Sequence, residues 1–228
     1  MNERTEYKGY KGGDQIKREV CRDAKDFVMK LPKDKFSELV EILKQAWKEG
    51  ELKAGDDAIN AVLAWETKDN DKLSKAIAIV AVINGIYSTF VKNKDYVAMA
   101  QRLAGRDFEP SSVEDLCANK EGGAQYYSFA TKYMSFKYPD SYPIYDSYLQ
   151  NFVKGREKIC LDGYGRYEEY KSRIGTIRNK LDPENKLFAN YKEFDQVMWL
   201  LLKLLCKYDI QFNENTIVYQ VKEALDLY

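Results

Sequence analysis

The stretch Ser128-Phe-Ala-Thr-Lys-Tyr-Met-Ser-Phe-Lys-Tyr-Pro-Asp-Ser-Tyr-Pro-Ile-Tyr-Asp-Ser-Tyr-Leu149 decides how this 228-residue chain is read. It begins as the end of an apolar helix, turns through Pro139 and Asp140, and opens a second helix at Pro143-Ile-Tyr-Asp146. That pattern puts the Asp146 carboxylate at a helix N-terminus, facing back toward a helix that carries Lys132. A lysine and an aspartate on neighbouring helices are the parts of amine-type nucleophilic chemistry or proton transfer. They are equally the parts of a salt bridge with an N-cap, whose loss costs about 1 kcal/mol.

Outward from this stretch, helical periodicity dominates. It predicts helices over about 14–31, 33–49, 56–67, 71–91, 94–103, 112–117, 124–137, 143–153, 167–181, 191–208 and 213–227. The segment 71–91 carries Ile77, Ile79, Val80, Val82 and Ile83 and leaves little room for a polar face, as expected of a central core helix. The segment 191–208 is similarly apolar. Ser112 and Asp115 have capping-box-like spacing. Strand signals are almost absent and no repeat is visible, so the fold class is all-α, packed around two very apolar helices. Residues 1–69 form an N-terminal helical region, either separate or part of the same domain as 70–228, because no Pro/Gly/Ser-rich linker divides them.

Composition narrows the chemistry. The chain has no histidine, which removes Ser-His-Asp and Cys-His catalysis and every His-ligated metal site. The four cysteines are scattered without a C-x-x-C pair, so neither a metal nor a cluster cofactor is expected. Cys21 and Cys206 fall in helical apolar patterns and read as small core residues. Basic and acidic residues number 36 each, a balance that argues against an obligate nucleic-acid binder. Charge is nevertheless uneven: Lys154, Arg156, Lys158, Arg166, Lys171, Arg173, Arg178 and Lys180 outnumber the acids between 154 and 180. That run is either a solvated surface or a basic face. Tyrosines number 18, enough to cover a groove as well as a core. The polar start of the chain lacks an apolar signal segment, and the apolar stretch Ala76–Ile83 is too short to span a bilayer. The expectation is a cytoplasmic, reduced protein without a membrane partner.

Three features in order carry a resemblance. Ala76 to Leu103 looks like a pair of core helices, the first ending in the polar residues Asn84, Ser88 and Thr89. Gly122-Gly123 and the following helix look like hairpin glycines with the helix after them. Tyr142-Pro-Ile-Tyr-Asp-Ser-Tyr-Leu149 looks like a Pro-[Ile/Val]-x-Asp signature. Together, over about residues 75–155, they resemble the helix-hairpin-helix DNA glycosylase superfamily, in a divergent 8-oxoguanine-glycosylase-like branch. The Ser-Phe-Ala-Thr-Lys-Tyr pattern ahead of Pro-Ile-Tyr-Asp-Ser is also similar to many uncharacterised bacterial proteins. The resemblance implies a two-lobed helical bundle, a double-stranded DNA partner and DNA repair by base excision, with Asp146 as the catalytic carboxylate. It implies substrate contacts by Asn84, Gln125, Tyr133 and Tyr145. DNA-backbone contacts would come from Gly122 and Gly123, and from Lys154 and Arg156 of the basic run.

The departures are specific. The hairpin segment is Lys120-Glu-Gly-Gly-Ala124, without apolar anchors and with an acid where a phosphate should approach. Where bifunctional members carry a lysine after the glycines, this chain has Ala124 or Gln125. Lys132 comes about two helical turns later, a shift of about 10 Å along a continuous helix, so it joins Asp146 as a catalytic residue in the Schiff-base role only where the helix is shifted. The expected activity is therefore monofunctional hydrolysis, in which Asp146 stabilises an oxocarbenium-like centre or activates water. The alternative is a non-catalytic helical binding module that kept the scaffold. Asn84 either meets nucleic acid or ties helix ends together, and Trp65 and Trp199 read as packing residues.

Overall fold

The computed structural model describes residues 23–117, 126–157 and 166–206, together with Val221. Among these residues every regular element is helical. In chain order they are α1 (residues 23–28), α2 (Lys33–Glu49), α3 (Glu51–Ala64), a 3-10 turn (Asp69–Asp71), α4 (Lys72–Tyr87), α5 (Asn93–Ala104), α6 (Val113–Cys117), α7 (Tyr127–Lys137), α8 (Ser147–Lys154), α9 (Tyr167–Leu181) and α10 (Tyr191–Cys206).

The apolar stripes do what their spacing predicts. On α2, Phe36, Leu39, Val40, Leu43, Ala46 and Trp47 are buried. On α10, Phe194, Val197, Met198 and Leu200 to Leu202 are buried, and this helix packs on α2, α7 and α8. Helix α4 packs on α3, α5 and α7. Helices before and after residue 69 share one continuous core.

Several boundaries and environments differ from expectation. Helix α3 starts at Glu51 rather than 56, directly after the extended Gly50 that ends α2. It stops at Ala64, so Trp65 is extended and 47% exposed rather than a packing residue. Helix α4 ends at Tyr87, because Ser88 adopts φ 48°. It is also one-sided: Ala76, Ile79, Val80 and Ile83 are buried, while Ile77 and Ile86 stay exposed. Among the described helices α7 is the most enclosed: Tyr127 and every residue from Phe129 to Phe136 are buried, the polar Thr131, Lys132 and Ser135 among them. Those polar residues blur its apolar pattern, which is why the sequence singled out two other helices. Ser112 does cap α6, its Oγ accepting from Asp115 N at 3.1 Å. The expected segments before residue 23, the hairpin Gly122-Gly123 with Gln125, and the helix 213–227 lie outside the described residues, Val221 apart.

Local ties hold the two segments that frame the cavity side of the bundle. Pro139 O, in the turn after α7, accepts Tyr191 N at 3.0 Å and so fixes the start of α10 against the end of α7. The extended Pro143-Ile-Tyr segment is held from both sides. Tyr167 Oη donates to Pro143 O at 2.8 Å, Tyr170 Oη donates to Ile144 O at 2.6 Å, and Tyr145 N donates to Thr131 Oγ1 at 3.0 Å.

Candidate functional site

These ties converge on one cavity of about 950 Å³, built from α2, α3, α4, α7, α8 and α10. Asp146 is the N-cap of α8: its Oδ1 accepts Tyr148 N at 2.8 Å and Leu149 N at 2.9 Å. Two orphan amides and the positive end of the helix suit an ionised carboxylate. The residue is only partly buried, and exposed Ile86, Ser88, Phe90 and Ser147 stand around the same cavity, which therefore reaches solvent.

Lys132 lines that cavity from α7. It is 5% exposed, donates to Ser128 Oγ at 3.0 Å and lies 5.4 Å from the Tyr87 ring centroid. Burial pushes its amine below the ordinary lysine range, while the negative charges of Asp146 and Asp195 act in the opposite direction. The two-turn displacement argued from the sequence assumed a helix continuous from residue 124. Helix α7 begins at Tyr127, so Lys132 sits in its second turn and the premise does not hold.

Two buried polar residues that periodicity alone does not mark stand here: Asp195 lines the cavity, and Asp56 lies behind the lining residues Tyr87, Lys192 and Gln196. Asp195, on α10, is 4% exposed, and its Oδ1 has no hydrogen-bond partner among the described residues. Burial raises its carboxyl well above the carboxylate range. Asp146 and Asp56 add to that shift, and Lys132 and Lys192 oppose it. Asp56, on α3, is by contrast fully engaged. Tyr87 Oη donates to its Oδ1, Gln196 Nε2 donates to its Oδ2 at 2.6 Å, and Lys192 Nζ lies 3.5 Å from the same oxygen. The walls are aromatic: Trp47 packs on Trp199 at 6.0 Å, Tyr148 on Trp199 at 6.4 Å, and Tyr127 on Tyr145 at 5.7 Å. Trp47 Nε1 is, like Asp195 Oδ1, buried without a hydrogen-bond partner among the described residues. Trp199 is thus a cavity wall as well as a packing residue.

The other expected site residues divide. Tyr145 lines the cavity. Tyr133 does not: it is fully buried, its hydroxyl donates to Phe108 O at 2.7 Å, and it borders a separate cavity of about 240 Å³. Asn84 does not line the cavity either. Its Oδ1 accepts Thr89 Oγ1 at 2.8 Å and Val91 N at 2.9 Å, and its Nδ2 donates to Tyr96 Oη, so it ties the end of α4 to the loop. Lys154 and Arg156 lie away from it, Arg156 paired with Asp23 at 3.1 Å. Other cations of the basic run also have acidic partners: Arg166 with Glu169, and Arg173 with Glu157 and Glu169. The cations lining the cavity are Lys132, Lys192 and Lys203. Among the described residues no cluster of three or more His, Cys, Asp or Glu is arranged to hold a metal ion. No described helix is long and apolar enough to cross a membrane.

Fold and site together define a protein whose described elements are all helical, with three amines and three carboxylates, among them Lys132, Asp146 and Asp195, around an aromatic-walled cavity. A family model described as HI_0787_N, N-terminal domain, matches residues 38–141, a span that crosses residue 69 and includes Lys132 but stops short of Asp146. A protein of Haemophilus influenzae that carries the name "Uncharacterized protein" is 29% identical over 145 residues, covering 59% of this chain and 70% of its own length. No solved structure matches.

Proposed function

We propose that the cavity receives a single nucleotide turned out of duplex DNA and that the protein acts as a DNA glycosylase, with Asp146 and Lys132 at the sugar carbon. The observation that carries this reading is their convergence: a helix-capping carboxylate and a buried amine line one solvent-reached, aromatic-walled cavity. Base chemistry on DNA needs a pocket with stacking faces and a few polar groups. Trp47, Trp199, Tyr127 and Tyr148 supply the faces, and Trp47 Nε1, Gln150 and Asp195 supply polar groups. Asp146 stabilises positive charge at the anomeric carbon as the base leaves. The desolvated Lys132 amine is a nucleophile for the same carbon, which extends the activity from hydrolysis to a covalent, lyase-type reaction.

Phe90 supports the same reading. Its ring is 82% exposed at the cavity mouth, and its backbone has φ 59°, a left-handed conformation costly for a bulky residue. The Asn84 bracket spans it, bonding the residues on either side. A strained aromatic held out in solvent is suited to enter the gap that an extruded nucleotide leaves in the stack.

The pairing of Arg156, Arg166 and Arg173 with acids favours the second reading, a non-catalytic binding module, because DNA needs uncompensated cations. Incubation with duplexes carrying 8-oxoguanine, uracil, alkylated bases or an abasic site separates the two. Excision or strand cleavage lost in Asp146→Asn supports the glycosylase. Absence of both excision and salt-dependent DNA binding refutes it.

A further inference from the structure

Two further carboxylates and two lysines act on Asp195: Asp146 and Asp56 against Lys132 and Lys192, both of whose amines burial pushes below the ordinary lysine range. With at most two cations for these three carboxyls, fewer when the Lys132 amine is neutral, at least one carboxyl does best protonated. Hydrogen bonding decides which. Asp146 takes two backbone amides, and Asp56 takes Tyr87, Gln196 and Lys192. Asp195 Oδ1 takes no donor among the described residues, although the residue is 4% exposed and lines the cavity. An ionised carboxylate oxygen without a donor in such a place is costly, whereas a carboxylic acid is itself a donor and needs only an acceptor.

We propose that Asp195 is the acid of this site: it keeps its proton at neutral pH and offers it, from the buried wall of α10, to a ring nitrogen or carbonyl of a base held beside Lys132 and Asp146. The surrounding elements agree. Helix α7 contributes Lys132, the N-cap of α8 contributes Asp146, α3 contributes Asp56 and α10 itself contributes Lys192. The phenols Tyr87 on α4 and Tyr167 and Tyr170 on α9 are all pushed upward by burial and therefore neutral, and Glu51 of α3, Lys203 of α10 and the phenols Tyr127, Tyr145 and Tyr148 line the same cavity. Asp146 and Asp195 thus have environments that drive their protonation apart, the arrangement that separates an acid from a stabilising anion.

The step balances. The glycosidic C1′–N bond breaks with its electron pair going to the base, and the Asp195 proton neutralises that charge. Asp146 faces the cationic sugar carbon. The carbon then bonds to water or to the Lys132 amine, and the proton released by that nucleophile returns to Asp195.

The inference rests on the glycosylase reading for its substrate but not for its first measurement. The carboxyl carbons of the wild-type protein, labelled at aspartate and assigned through bonds, are titrated by NMR without DNA. The expected result is an Asp195 carboxyl still protonated at pH 7, and titration near the ordinary value of about 4 overturns the proposal. The second arm follows excision of the processed lesion against pH. Wild-type activity is expected to fall as pH rises through the Asp195 titration. Asp195→Ala should lose about 10²- to 10⁴-fold. Asp195→Asn, which keeps a donor but no transferable proton, should lose less and show no alkaline fall. An Asp195→Asn profile and rate equal to wild type overturn the acid role. A protonated Asp195 in a protein that excises no base supports the proton assignment and sinks the glycosylase reading alone.

Discussion

Asp146 and Asp195 line the same cavity in opposite states of hydrogen bonding: Asp146 Oδ1 accepts two helix amides at 2.8 and 2.9 Å, while Asp195 Oδ1 accepts none from the described residues. The first is held by the start of α8, and the second presents one buried oxygen that no described donor meets. The consequences divide between catalysis and stability and are separable by substitution.

Asp146→Asn keeps the N-cap, because asparagine caps as well as aspartate. Thermal stability should move by less than about 1 kcal/mol. Excision of the processed lesion should fall by about 10²-fold or more, since the amide cannot stabilise a cationic sugar carbon. Parallel melting and oligonucleotide assays test this, and a variant that is stable and fully active removes Asp146 from the chemistry.

Lys132→Met retains bulk and removes the amine. Borohydride should trap wild-type protein on abasic DNA and should not trap the variant. The amine also marks stability. The unfolded lysine holds its proton up to about 10.5, and the buried one gives it up at lower pH. The unfolded state therefore binds more protons across that window, and wild-type stability should rise with pH relative to Lys132→Met until 10.5 is reached. Denaturation midpoints that differ by a constant at every pH would mean that the amine is solvated.

Phe90→Gly relieves a left-handed backbone worth about 1–2 kcal/mol of strain, offset by about 0.5–1 kcal/mol of glycine entropy. Stability should hold or rise slightly while affinity for an abasic duplex drops about tenfold. Asn84→Ala should lower both, because the Thr89 and Val91 hydrogen bonds go with it, at about 1–3 kcal/mol for the groups left unpaired. Equal affinity of Phe90→Gly and wild type would deny the ring any contact with DNA.

Lys203, whose Nζ lies 4.0 Å from the Trp199 ring centroid, lines the cavity, whereas Arg156 lies away from it. Lys203→Ala should reduce the salt slope of DNA binding by about one, and Arg156→Ala should leave it unchanged. Titrations at several salt concentrations decide between them, and the reverse pattern would return the DNA to the basic run.

Much of the fold is legible in the chain because it is local. Helices α2, α9 and α10 start where their apolar spacing predicts, and Asp146 caps its helix as the turn through Pro139 suggests. Asp195 carries a weak signal of its own: it sits a helical turn from both Tyr191 and Met198, on the apolar side of α10. A carboxylate on an apolar stripe is either a mistake or a site. Tyr133 does not meet the cavity of Asp146 because neighbouring residues of α7 face different cavities, Lys132 one and Tyr133 the other.

By itself the sequence determined the all-helical class, the absence of imidazole chemistry and the capping aspartate, all of which follow from residue type and short-range spacing. The tertiary structure alone decided that Lys132, Asp146 and Asp195 share one cavity with Trp47 of α2 and Phe90 of the α4–α5 loop. Burial, an unmet hydrogen bond and a displaced protonation state arise from what distant segments place around a side chain, and periodicity holds no record of that environment.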